Sequence, residues 1–560
     1  MTFKSNENPM FRSKFSEDIF RQKYAHQDCY TWAALAKTLV NDVCGDLLPK
    51  DEVADLIDIV TDLKFIPGGR YLYYAGRPSK FFNNCYLLKA EEDSREDWAN
   101  LSWKSESCLM TGGGIGIDYS VYRPEGSSLS KTGGLSSGPI PKMEMINEIG
   151  RRVMQGGSRR SAIYASLNWK HRDVDTFLAS KNWYNTPIGS TGYTVGQVKE
   201  QDFNYAAPMD MTNISVNYDT EWLLNYWNTG DVGAVFKQNV KQALSTAEPG
   251  FSFNFFDKEN ETLRNACTEV TSSMDSDVCN LGSCNLGRID NLEDFQKVVT
   301  LATKFLLCGT LKAKLPYDKV YKVRESQRRL GLGLMGMHEW LIKRGGKYEV
   351  TEELHRWLRV YKSVSDATSL SSADSFSISR PVANRAIAPT GSIGILAGTS
   401  TGVEPIFAVA YKRRYLKNGT KWHYQYVVDS AAQELIDLYG ADPENIESAL
   451  DLAQDYKRRI KFQADVQDYV DMSISSTINL PQWGSKENNE DTVSEFTTTL
   501  ADYAHRLRGF TVYPDGCRGG QPLTPVAYSD ALGKLGEVFE ESIETHDICD
   551  ITGHGGSCGV

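Results

Sequence analysis

The chain has 560 residues, 41% of them hydrophobic and 24% charged, with a formal net charge of −11. That is enough apolar material for a large core, and the acidic balance argues against direct nucleic-acid binding or an anionic membrane surface as its main role. No stretch is long and apolar enough to span a bilayer, the polar start Met1–Asn8 does not read as a signal peptide, and 11 scattered cysteines without a C-x2-C pair fit neither a secreted disulfide framework nor a metal centre, so a soluble cytoplasmic chain with no metal ligands is expected.

Residues from about Phe15 to Lys64 read as helical, with Trp32, Leu35, Leu39 and Val43, then Val53, Leu56, Ile57 and Val60, at three- and four-residue spacing. Pro67-Gly68-Gly69 breaks the pattern, and Arg70–Tyr74 is expected to open a strand. Asn83–Leu88 reads as a second strand, ending at the acidic cluster Glu91-Glu92-Asp93. A helix is predicted over Trp98–Met110, and the glycine-rich run Thr111–Gly116 leads into a strand. Helices follow over Pro141–Gln155, Asp173–Ser180 and near Gln238–Leu244, with a strand at Arg159–Ala165. Glu293–Leu307 and Gln327–Arg344 read as amphipathic helices, and Ala386–Gly402 as a turn region rich in Gly and Thr. Val427–Tyr439 and Pro443–Ala464 read as helical, and Phe510–Tyr513 as a late strand. The basic run Lys412-Arg413-Arg414 reads as a solvated face. Helices alternating with strands predict an α/β fold on one large sheet, open or closed into a barrel. From about Glu540 the chain is polar and ends in Gly-rich Thr552–Val560, a composition expected to be mobile.

Chemistry concentrates in Arg264–Val270. Asn265, Cys267 and Glu269 alternate, so an extended backbone would turn an amide, a thiol and a carboxylate to one face. A thiol can do polar or radical chemistry, a carboxylate can take a proton, and an amide can hold a hydroxyl. Alone, such a cysteine reads more readily as a buried core residue between two polar neighbours. Ala388–Gly394 offers small residues, hydroxyls and backbone N–H groups suited to a phosphate, although alone it is also a tight turn. The glycines at 112–116 precede a strand instead of following one, which rules out a dinucleotide-binding fingerprint. Cys85, Cys267 and Cys279 lie in or beside predicted strands, while Cys549 and Cys558 sit on the tail. Buried thiols plus a tail dithiol form the layout of a redox relay, in which a flexible arm reduces an internal disulfide by exchange. Cys29, Cys44 and Cys308 read as core residues, and Cys108, Cys284 and Cys517 carry no assignment.

From about Phe65 to Leu523 the chain resembles the catalytic chain of ribonucleotide reductase. The resemblance rests on an ordered set: P-G-G-R, N-C-Y-L-L, G-G-G-I-G, T-G-G-L-S-S-G-P, Q-G-G-S-R-R-S-A, N-A-C-T-E-V, V-C-N-L-G-S-C-N-L-G, L-G-L-G-L-M-G, A-P-T-G-S-I-G-I-L-A-G-T-S-T-G-V-E-P and V-Y-P-D-G. It implies a ten-stranded α/β barrel over residues 66–530, after a helical region 1–65 without an ATP cone and before a redox tail at 531–560. It implies that Cys267 lies on a loop inside that barrel and carries a thiyl radical that removes the ribose 3′-hydrogen. Glu269 would take the 3′-hydroxyl proton, and Asn265 would bond the sugar. Cys85 and Cys279 would supply two electrons as the 2′-hydroxyl leaves as water, and Cys549 and Cys558 would shuttle reducing equivalents from a thioredoxin- or glutaredoxin-like protein. Asn84, Gly113 and Gly114 would line the substrate site, with Pro389, Thr390, Gly391, Ser392 and Ile393 around the phosphates of a ribonucleoside di- or triphosphate. Asp93, Arg123, Arg159 and Arg160 match positions that bind nucleotide effectors, dNTP or ATP, and Gly156–Ala162 matches the loop that relays effector identity. A monomer or homodimer is expected.

The radical source is the open branch. The late strand reads Val512-Tyr513-Pro514, with one tyrosine where chains fed by a separate di-metal subunit carry two adjacent ones. That favours adenosylcobalamin; Tyr513 is the candidate for a radical path. The alternative is no bound cofactor and a di-metal partner subunit, since N-A-C-T-E and Q-G-G-S-R look closer to those chains. A glycyl-radical-like enzyme and an inactive nucleotide-binding regulator remain as readings of other classes. The intact set Cys85, Cys267, Glu269 and Cys279 argues against the regulator.

Overall fold

A computed structural model describes residues 8, 10–26, 28–131, 133–153, 161–202, 205–417, 421–517, 523–535 and 537–540. Arg159, Arg160, Cys549, Cys558 and most of the loop 156–162 lie outside the described residues.

Five parallel strands form the middle of a ten-stranded sheet: Cys85–Lys89, Gly114–Asp118, Ile163–Asn168, Thr212–Tyr218 and Gly250–Phe253. Parallel neighbours need crossover connections, and helices such as Arg95–Met110 and Ile140–Arg152 supply them. On one side Asp277–Asn285 runs antiparallel to Cys85–Lys89 and also pairs with Phe65–Pro67 and Leu330–Met335. On the other side Gly509–Pro514 runs antiparallel to Gly250–Phe253 and parallel to Thr477–Leu480.

The segment 383–387 connects the two ends. Leu332 bridges to Arg385 and Ile387 to Ile474, with Ile387 N donating to Ser473 O at 3.1 Å. These isolated bridges set the segment between Leu330–Met335 and the chain just before Thr477–Leu480, within a mixed α/β architecture of the expected class. The nine residues of Asp277–Asn285 are all buried, as are the six of Leu330–Met335, so neither strand has a polar face to mark it in the sequence. Among the described residues no helix is long and apolar enough to cross a membrane.

Several elements differ from the sequence reading. Arg70–Tyr74 is helical, within Gly69–Tyr74. Its aromatics suggest a strand by composition, but Arg70 Nη2 donates to Tyr74 Oη at 3.1 Å, a contact of helical i,i+4 spacing. Gln327–Arg344 is not one helix. A helix ends at Gln327, the strand Leu330–Met335 follows, and a second helix runs Met337–Lys343. The Leu-Gly alternation there is a period of two, and a Cβ on Gly331 would lie 2.3 Å from Leu281 Cδ2.

Val427 and Val428 end the strand Lys421–Val428, and the helix Ser430–Tyr439 starts after Asp429, whose carboxylate accepts from the N–H groups of Ala431 and Ala432. Pro443–Ala464 is broken into short turns before the helix Tyr456–Gln467. The Gly- and Thr-rich region contains the helix Gly391–Ala397. Lys412–Arg414 belong to the strand Ala410–Lys417, with Arg413 over the Phe15 ring at 4.8 Å, so this run is not simply solvated. The N-terminal region forms three helices, Lys14–Lys23, Trp32–Cys44 and Lys50–Thr61.

Candidate active site

Residues 265–270 form a loop between the short strands Leu263–Arg264 and Thr271–Ser272, the placement expected for Cys267, and not the extended backbone that would turn Asn265, Cys267 and Glu269 to one face by alternation. Thr268 N donates to Asn265 O at 3.0 Å, closing a turn over Ala266 and Cys267, and Thr268 sits at φ 70°. A β-branched residue in the left-handed region costs about 1–3 kcal/mol, a conformation kept only where its surroundings enforce it. The enforcing contacts come from strands and from the segments beside them. Asn213 Nδ2 donates to Ala266 O at 3.0 Å, and Ser473 N donates to Glu269 O at 2.9 Å. The fully buried Arg264 donates from Nη2 to Asn254 Oδ1 at 2.6 Å. Gly116 makes the passage possible, since a Cβ there would stand 1.6 Å from Arg264 O.

The turn brings the three side chains together by another route than alternation. Asn265, Cys267 and Glu269 all line one cavity of about 180 Å³, together with Cys85. Asn265 is its centre: Nδ2 donates to Glu269 Oε2 at 2.8 Å and lies 2.9 Å from Cys85 Sγ, while Oδ1 accepts from Val270 N at 2.9 Å. Cys267 is exposed, whereas Asn265 and Glu269 are almost wholly buried. Burial pushes the Glu269 carboxyl up to about 7, with the Asn265 hydrogen bond opposing the shift. A carboxylate poised there can accept a proton near neutrality.

Cys279 stands directly across from Cys85 in the antiparallel pairing. Its Sγ donates to Asn280 O at 3.4 Å, and both residues are thiols. Desolvation holds both well above the ordinary thiol range, reinforced by Glu269 beside Cys85 and Asp277 beside Cys279. Protonated thiols are poor nucleophiles but retain the hydrogens a reducing dithiol must give up. Gly331 leaves room for Cys279, since a Cβ there would lie 3.1 Å from the sulfur.

Pro389, Thr390, Gly391, Ser392 and Ile393 line the same cavity. The helix Gly391–Ala397 starts here, so its first amides precede the intrahelical ladder. Thr390 Oγ1 accepts from Gly402 N at 2.8 Å, which fixes the loop. Asn84 and Gly114 line the cavity, and the buried Asn84 Oδ1 has no protein donor. Gly113 does not line it: a Cβ there would meet the Tyr86 ring at 2.4 Å, and Gly112 takes the lining position. Tyr24 and Arg70 also line the cavity, and the sequence reading assigned neither. Arg70 had a signal in the P-G-G-R run; Tyr24 had none.

Asp93 and Arg123 come together as an ion pair, with Arg123 N donating to Asp93 Oδ2 at 3.1 Å. They follow the ends of Cys85–Lys89 and Gly114–Asp118, neighbouring strands whose first residues, Cys85 and Gly114, line the cavity. Tyr513 lines a second, larger cavity of about 710 Å³ that shares Pro389 and Gly391 with the first.

Residues 83–374 and 382–513 match the family described as ribonucleotide reductase, barrel domain. A vitamin B12-dependent ribonucleoside-diphosphate reductase of Mycobacterium tuberculosis is 25% identical over 529 residues, covering 86% of this chain and 74% of the relative. A protein of the same name from Thermoplasma acidophilum is 27% identical over 517 residues, covering 83% and 66%. The solved class Id ribonucleotide reductase alpha subunit of Actinobacillus ureae has the same fold, with a TM-score of 0.69 at 16% identity over 90% of this chain and 97% of that one.

Proposed function

The chain belongs to the ribonucleotide reductase barrel family and is a ribonucleotide reductase catalytic chain, and from that premise we propose that it reduces ribonucleotides through a Cys267 thiyl radical and the Cys85–Cys279 dithiol. The observation that carries the reading is the junction at Asn265, whose amide contacts both the Glu269 carboxylate and the Cys85 sulfur in the cavity that Cys267 lines.

In this reading the Cys267 radical takes the 3′-hydrogen of the ribose, and Glu269 accepts the 3′-hydroxyl proton. The 2′-hydroxyl leaves as water on a proton from the Cys85–Cys279 pair, the second thiol hydrogen goes to C2′, and Glu269 returns its proton to the 3′-oxygen. Cys85 and Cys279 give up two hydrogens and close a disulfide, which balances the two-electron reduction. Cys267 then returns its hydrogen to C3′. Asn265 keeps carboxylate, thiol and sugar in register. Asn84 offers its unpartnered oxygen to a ribose hydroxyl, and residues 390–393 hold the phosphates at the start of a helix. Cys549 and Cys558 would return the disulfide to thiols by exchange with an external dithiol protein.

Adenosylcobalamin is the favoured radical source, in line with the names of the relatives from M. tuberculosis and T. acidophilum. The second cavity fits such a group: it adjoins the catalytic one at Pro389 and Gly391, and Ile406, Phe407, Tyr411, Val427 and Val428 give it a largely apolar wall. Those side chains would hold a corrin by shape and apolar contact. When bound, that group supplies an organic radical able to take a hydrogen atom from a thiol. Tyr513 in the same wall keeps a second reading alive, in which a partner subunit delivers the radical through this tyrosine. Deoxynucleotide formation with dithiol, measured with and without adenosylcobalamin, tests the reading. Turnover that needs the cofactor and disappears in Cys267→Ser supports it, and undiminished turnover in that variant refutes it.

A further inference from the structure

On the strand Asp277–Asn285 the alternating residues Cys279, Leu281 and Ser283 share one face. Cys279 opposes Cys85 there, and Leu281, Ser283 and Cys85 line the catalytic cavity. The residues between them point the other way. Asn280 Nδ2 donates to Tyr71 Oη at 2.6 Å and to Leu306 O at 2.8 Å, and a Cβ on Gly282 would lie 2.7 Å from the Phe65 ring. The neighbouring strand Leu330–Met335 leaves the cavity face bare with glycines. Gly331 stands against Cys279 and Leu281, and a Cβ on Gly333 would lie 3.1 Å from Ser283 Oγ. Ser283 is only 1% exposed, and among the described residues its hydroxyl has no hydrogen-bond partner. A buried hydroxyl left unpaired costs free energy, so one that lines a cavity calls for a ligand.

We propose that the Ser283 hydroxyl binds an oxygen of the substrate's 5′-phosphate chain and so selects nucleotide over nucleoside; this rests on the reading that puts the phosphates at residues 390–393. The neighbours of the strand set the order of substrate parts along it. Cys279 belongs to the dithiol. Two residues on, Leu281 O accepts from Gly68 N at 2.8 Å, and a Cβ on Gly68 would lie 3.0 Å from Asn84 Oδ1, the oxygen offered to the ribose. Two residues further, about 7 Å along an extended strand, Ser283 stands beside Gly333. A Cβ on Gly333 would also meet Ala386 O at 2.9 Å and Ile387 Cα at 3.5 Å. From there the chain runs directly into Ala388–Ile393, which lines the same cavity. Ser283 therefore stands on the 5′ side of the ribose, where the substrate carries anionic oxygens. A serine hydroxyl donates one hydrogen bond, and an ionised acceptor makes that bond a strong one.

Equilibrium binding to the full chain tests this without any radical source, with a ribonucleoside diphosphate and its parent nucleoside as ligands. For Ser283→Ala, diphosphate affinity should fall roughly tenfold or more, the scale of one hydrogen bond to a charged group. Nucleoside affinity should stay unchanged. The midpoint of thermal unfolding without ligand should not fall, because alanine removes a hydroxyl that pairs with nothing in the fold. Diphosphate binding by Ser283→Ala at wild-type strength overturns the inference. An equal loss for nucleoside and diphosphate also overturns it, because the hydroxyl would then serve the sugar, the base or the fold, and a lowered midpoint would mark the serine as structural. A wild-type chain that binds nucleoside and diphosphate equally would remove the phosphate reading itself, whatever the variant does.

Discussion

Cys85 and Cys279 are a registered pair on two antiparallel strands, and Asn265 contacts the sulfur of the first of them. Residues opposed in this way have Cβ atoms about 4.5–5.5 Å apart on one face, and a disulfide needs about 3.5–4.5 Å. The pair is therefore poised to close by a small approach of two strands. Replacing either cysteine with serine should remove multiple turnover while leaving nucleotide affinity within about twofold. Product assays beside equilibrium binding check this; loss of both together would make the pair structural.

Glu269 sets the pH response. The proposed base works deprotonated, and its carboxyl is pushed up to about 7, so kcat/KM should climb as pH rises through that value and fall away on the acid side. A flat profile between pH 5 and pH 8, with radical generation shown not to limit, would count against Glu269 as the base.

The raised carboxyl also bears on stability. The folded chain holds the Glu269 proton more tightly than the unfolded chain does. This contribution is full below the ordinary carboxylate value of 4.5 and is lost as pH rises through about 7. Glu269→Gln removes that loss. Relative to wild type it should gain roughly 3 kcal/mol between pH 4 and pH 8, since each tenfold difference in proton affinity between folded and unfolded chain is worth about 1.4 kcal/mol. Denaturant unfolding at the two pH values measures it, and turnover should be absent throughout.

Gly116 governs entry of the Cys267 loop. Its substitution by Ala puts a methyl group 1.6 Å from the Arg264 carbonyl oxygen, a backbone atom that cannot step aside. The expected cost is roughly 2–4 kcal/mol, with activity lost even below the melting transition. Thermal unfolding and activity of Gly116→Ala check it, and a variant with wild-type stability and rate would mean that the loop is not held there.

The tail carries a kinetic prediction. A Cys549→Ser, Cys558→Ser double variant should complete about one turnover from its internal dithiol and then stop unless a small dithiol reaches the site directly. Sustained turnover with a protein reductant alone would exclude the shuttle.

Much of this was legible in the chain where chemistry is local. Cys267 and Glu269 lie two residues apart, and the Gly-rich run 388–394 announces its own conformational freedom. The backbone conformation there was not legible. Alternation would converge Asn265, Cys267 and Glu269 on an extended backbone, but their convergence comes from a turn with Thr268 in the left-handed region, held by Gly116 and Asn213 from two strands and by Ser473 from the segment before Thr477–Leu480. Leu330–Met335 misled in the opposite direction, because a strand buried on both faces shows no polar alternation. Tyr24 sits at the cavity only through packing of the first helix on Gly391–Ala397, a contact that no local pattern encodes.

The central claim is that product formation oxidises one particular dithiol. The direct measurement uses prereduced chain with Cys549 and Cys558 replaced by serine, a ribonucleotide and a radical source, without external reductant. Deoxynucleotide is counted per chain, and the linked peptides are identified by mass spectrometry. The account predicts about one product per chain and a Cys85–Cys279 disulfide formed in step with it. Deoxynucleotide made while both cysteines remain thiols would contradict it.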